Sequence, residues 1–139
     1  MTGGEPMMDK NTYKVFQYII DHPKKDLHLN ITSNMCPPDP KLKTKYFNML
    51  QEICLQEKVE HVMQFVSVDA FGKRAEYIRN GLDFNYMMDN VEEFLERIPY
   101  RNSITFICTY NNLSITSMDK LLQKILELRQ RYSKEYQRV

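Results

Sequence analysis

Tryptophan is absent from this sequence, alanine occurs only at Ala70 and Ala75, and 139 residues contain four glycines and three cysteines. Each scarcity removes a class of protein. Cys36, Cys54 and Cys108 are odd in number and widely spaced, so they make neither a disulfide framework nor a Cys-x-x-Cys pair for zinc or redox exchange. Free thiols in a reducing compartment fit them. With so few glycines there is no Gly-rich phosphate loop, and Gly-x-Ser-x-Gly and His-Glu-x-x-His are missing as well. No apolar run approaches the roughly eighteen residues of a membrane span, and Met1 to Met8 lack the apolar core of a secretory signal. The expected location is the cytoplasm or nucleus. Asn30-Ile31-Thr32 and Asn112-Leu113-Ser114 then read as chance triplets, because a glycosylation acceptor matters only in a secreted chain. Little alanine and no tryptophan, beside frequent Lys, Asn, Ile, Tyr and Met, is what A/T-rich codons produce, as in a virus or an A/T-rich eukaryote.

What is present is enough to fold. Hydrophobic residues are 42% and charged residues 27% of the chain, ordinary globular usage at the common size of one domain. Residues 1–8 read as a flexible tail, and residues 9–139 as a single α+β domain of about four helices, a β-hairpin and one or two further short strands.

Tyr13, Phe16, Ile19 and Ile20 recur at helical spacing and must stop before Pro23. Leu27, Leu29 and Ile31 alternate with polar residues, predicting a short strand. Asp39-Pro40 is a helix start, followed by Leu42, Tyr46, Met49, Leu50 and Ile53 on one face. Val59 to Asp69 and Lys73 to Arg79, joined at Phe71-Gly72, predict the hairpin. Phe84 to Ile98 reads as a helix ended by Pro99, Ser103 to Tyr110 as a β-branched and aromatic strand, and residues 117–137 as a C-terminal helix. The core is expected to hold Phe16, Ile20, Leu50, Ile53, Phe65, Val91, Leu95, Phe106 and Ile125.

Helix, strand, helix and hairpin over residues 9–80 resemble, in order and length, a winged helix-turn-helix unit. That resemblance implies a nucleic-acid surface made by Lys41, Lys43, Lys45 and Asn48 on the helix and Lys73, Arg74 and Arg79 on the wing. Overall charge argues the other way, since the chain carries +1 with a pI near 7.7, where dedicated nucleic-acid domains stand above about 9.

On the last helix Met118, Leu121, Ile125, Leu128 and Tyr132 repeat in steps of three and four, which keeps one seam against a partner. The same seam would serve as the inner side of a helix packed on its own domain. His22, His28 and His61 share no ligand-like spacing with the cysteines, and Glu92 and Glu93 point in different directions. No catalytic residue, metal site or cofactor is therefore expected. The sequence points to a non-enzymatic interaction module that binds a protein partner or self-associates as a homodimer, within a regulatory or viral–host complex. A winged-helix-like nucleic-acid binder is the alternative, and a small enzyme the distant one. No membrane association is expected.

Overall fold

The computed structural model describes residues 1, 4–99, 101–134 and 136–139. Among them, helices and short strands alternate: α1 (Lys10–Asp21), β1 (Lys24–Ser33), α2 (Pro40–Leu55), β2 (Val59–Ser67), α3 (Lys73–Ile78), α4 (Phe84–Arg97), β3 (Ser103–Ile107) and α5 (Met118–Tyr132). The helix starts follow local chemistry. Asp9, Asp39 and Asp83 each turn a carboxylate onto an orphan amide of the first turn, at Asn11, Lys41 and Tyr86 respectively. Pro40 follows Asp39 at a position where no amide donor is needed.

The strands form one sheet in the order β1-β2-β3, and both pairings are parallel. This differs from the expected hairpin. Lys73 to Ile78 is a helix, and Gly72, at φ 60°, leads into it instead of reversing the chain. The reason is sheet order: β2 is the central strand, its two edges taken by β1 and β3, so no edge remains for a neighbour in sequence. Without a hairpin there is no wing, and the winged helix-turn-helix order does not hold over residues 9–80.

The helices lie side by side, as their cross-links show. Tyr13 on α1 donates to the carbonyl of Leu42 on α2 at 3.3 Å, Lys43 on α2 pairs with Glu93 on α4 at 2.9 Å, and Lys124 on α5 pairs with Glu92 on α4 at 3.0 Å. They cover the sheet face that carries Leu29, Ile31, Val62, Val66 and Ile104, all buried. Gln64 sits among these apolar residues with its polar groups satisfied. It accepts from Tyr46 Oη at 2.7 Å and donates to the carbonyls of Ile31 and Phe65, each at 3.1 Å. Of the expected core, Phe16, Leu50, Ile53, Val91 and Leu95 are buried, and Ile20, Phe106 and Ile125 pack half-buried against it. Phe65 departs from expectation, because its position in β2 points it to the opposite face.

A residue beyond α5 fastens two of these elements. Arg138 is buried and its guanidinium donates to the carbonyls of Leu95, Ile98 and Asn102, at 2.6, 2.7 and 3.2 Å. A cation there satisfies the carbonyls left open at the C-terminal end of α4 and meets the negative end of its dipole.

Candidate functional site

Parallel sheets are ordinarily covered on both faces, and here only one is covered. The other face carries rows of side chains set by the strand register: His28 beside His61; Asn30, Met63 and Ser103; Thr32, Phe65 and Thr105; Ser67 and Ile107. None of these ten residues is buried. Met63 and Phe65 hold the centre, hydroxyl and amide groups flank them, and no lysine or arginine belongs to the set. At the N-terminal end of the face the His28 and His61 rings stand 6.0 Å apart, and Ser103 Oγ lies 3.2 Å from His61 Nε2. Burial, and then the neighbouring His28 charge, lowers the pKa of His61 below the ordinary imidazole value.

Where the strands end, the loop after β2 is tied to the loop after β3. Asp69 accepts from Arg79 Nε at 2.7 Å and from the amide of Thr109 at 2.8 Å. Burial alone would raise this carboxyl, but the hydrogen bonds from Arg79 and Thr109 and the Arg79 charge outweigh it and hold the group below its ordinary value. Cys36 and the backbone of Asp83 touch nearby, at 3.3 Å from the Asp83 amide to the sulfur. Burial raises the Cys36 and Cys108 thiols and takes Cys54 up to about 12, which favours the thiol form over the thiolate at all three. Among the described residues no group of three or more His, Cys, Asp and Glu side chains could hold a metal ion. No helix among them is long and apolar enough to cross a membrane.

The residues singled out from the sequence fall in other places. On α5, Leu121 and Leu128 are buried and Met118, Ile125 and Tyr132 pack against the core, so the seam faces this chain's own interior. Tyr132 donates to Glu96 of α4. The apolar side chains that α5 exposes are Leu122, at 58%, and Leu126, at 52%. Of the basic residues, Lys43 pairs with Glu93, Lys73 with Glu76 and Arg79 with Asp69. Arg74 donates to the Leu113 carbonyl, Lys45 lies over the Tyr13 ring, and Asn48 accepts from Arg97. Lys41 opens α2 with no ion pair among the described residues. The structure therefore does not assemble these seven residues into a helix-and-wing surface.

Sequence reasoning missed the open face because it treated the more apolar positions of β2 as inward. One signal did point to it. Val62, Gln64 and Val66 form one period-two set and His61, Met63, Phe65 and Ser67 the other, so either set satisfies the alternation. Among the described residues, the fold is an all-parallel, three-stranded sheet with a single layer of helices and one uncovered face. No family model, no curated protein and no solved structure matches this chain.

Proposed function

We propose that this chain is a non-catalytic binding module whose working surface is the open face of its parallel sheet, and that the occupant is another polypeptide. The observation that supports this reading is the uncovered set of ten side chains, with Met63 and Phe65 at its centre. Apolar groups ringed by hydroxyls suit side chains of a protein. A phosphate backbone would call for lysine or arginine, which the face does not carry.

Size separates a foreign partner from a second copy. Three strands about 4.8 Å apart and about five residues long present on the order of 250 Å². A stable dimer buries about 800 Å² on each side, so stacking two such faces falls well short. The occupant must reach past the face onto the strand ends, as a larger heterologous element can. Nucleic acid, through Lys41, Lys43, Lys45, Asn48, Lys73, Arg74 and Arg79, is the weaker reading, since three of those cations are spent on carboxylates.

Oxidative footprinting tests the proposal while the partner is still unidentified. In the purified chain, which should sediment as a monomer at micromolar concentration, Met63 should oxidise readily while buried Met87 stays protected. Inside cells that express the protein naturally, Met63 and Phe65 should become protected. Equal modification of Met63 in cells and in the purified chain would sink the idea.

A further inference from the structure

A groove lies away from the open sheet face, between the outer sides of α1 and α2. It is an open groove with a volume of about 590 Å³, within the usual range of small-ligand sites. Ile20, Pro40 and Met49 give it an apolar floor, and Lys41 and Lys45 stand together at one end. These two lysines are one helical turn apart on α2, about 6 Å along the axis, and neither has a carboxylate partner among the described residues. Glu52 lines the same groove about 10 Å further along α2 than Lys45, and it too has no ion-pair partner among the described residues. The groove is thus positive at one end, apolar along its floor and negative at the other.

We infer that this groove binds an anionic amphiphile, a straight-chain monocarboxylate of medium length. Its carboxylate sits between Lys41 Nζ and Lys45 Nζ, and its alkyl chain lies along Ile20 and Met49 toward Glu52. Charge complementarity selects the direction of entry. The two lysines attract the head, while Glu52 repels a second carboxylate and so excludes a diacid of the same length. The Lys45 ammonium already lies 4.4 Å from the centre of the Tyr13 ring, which holds that side chain near the groove before a ligand arrives. This site is independent of the open sheet face, and neither proposal needs the other.

The test uses the whole chain and defined probes below their micelle concentrations. Dodecanoate should bind saturably by calorimetry, about tenfold or more tighter than 1-dodecanol or dodecanedioate. Shortening the chain to decanoate and octanoate should weaken binding about two- to fourfold per methylene. Lys41→Gln with Lys45→Gln should remove the preference for dodecanoate over dodecanol while leaving the melting temperature unchanged. Glu52→Lys should reverse the discrimination and make dodecanedioate the better ligand. No saturable binding, equal affinity for the acid and the alcohol, or an unchanged dodecanoate affinity in the double glutamine variant would each overturn the inference. Because the alcohol and diacid comparisons are made on the unmodified protein, the outcome does not depend on the variants folding.

Discussion

The hydroxyl of Tyr46 on α2 donates to Gln64 Oε1 on β2 at 2.7 Å, with both side chains fully buried. This bond fixes the helix layer on the central strand at one point. Burial raises the pKa of the Tyr46 phenol well above its ordinary value, so the group stays a donor at every working pH.

Removing either partner leaves the other unsatisfied in an apolar core. Tyr46→Phe and Gln64→Leu should each cost about 1–3 kcal/mol in urea unfolding. The double variant should cost clearly less than their sum, because the Tyr46 hydroxyl and its Gln64 acceptor are removed together and neither is left orphaned by loss of the other. A fully additive double variant would show that the bond is not the coupling.

Arg138 makes a comparable attachment at the edge of the fold. Arg138→Ala should destabilise the chain by about 2–4 kcal/mol, since three backbone carbonyls lose a charged donor. Hydrogen exchange should show the loss first at the end of α4 and the start of β3, where Ile104 donates to the Arg138 carbonyl. A variant that melts like the parent would show that water replaces the guanidinium without cost.

The direction that α5 faces can be measured on a matched pair. Leu128→Glu places a carboxylate in the core and should cost about 3 kcal/mol or more, whereas Leu122→Glu should stay within about 0.5 kcal/mol. Melting curves on the two variants decide it. Equal melting would mean that the seam faces outward.

His61 provides the pH prediction. Its folded pKa lies below the unfolded value of 6.5, so the unfolded chain takes up the proton first as pH falls. The neutral imidazole therefore favours the fold above pH 6.5, and that contribution declines from there down through the lower folded value. An NMR titration of the His61 ring should give a midpoint below 6.5, and His28→Gln should move it upward by removing a neighbouring charge. A midpoint at or above 6.5 would contradict the packing described for that end of the face.

Much of the local structure was legible in the residues. The cap at Asp39, the helix from Phe84, the strand from Ser103 and the presence of a C-terminal helix were all visible as spacing and side-chain chemistry, although that helix ends at Tyr132 and not at residue 137. Lys73 to Ile78 was not, because six residues are too few to separate a period of two from a helical one. Strand pairing was not legible either, because alternation marks a strand without naming its neighbour. Phe65 shows why the candidate surface stayed hidden. Its side chain is more apolar than that of Gln64, so hydrophobicity alone puts the phenylalanine inside, while the Tyr46 hydroxyl is what makes the glutamine acceptable there.

The all-parallel pairing also bears on how quickly this chain can fold. No strand can pair with its neighbour through a short turn. The contact between Gln64 and Ile31 spans 33 residues and that between Val62 and Asn102 spans 40. Each pairing must close a long loop before any ladder hydrogen bond offsets the lost chain entropy, and such topologies fold slowly for their length. On a ribosome, β2 can dock only on β1 until β3 has been synthesised, and in that interval one edge of the central strand stays unpaired. Slow refolding and a strong dependence on chaperones are therefore expected of a chain with ordinary composition and ordinary size.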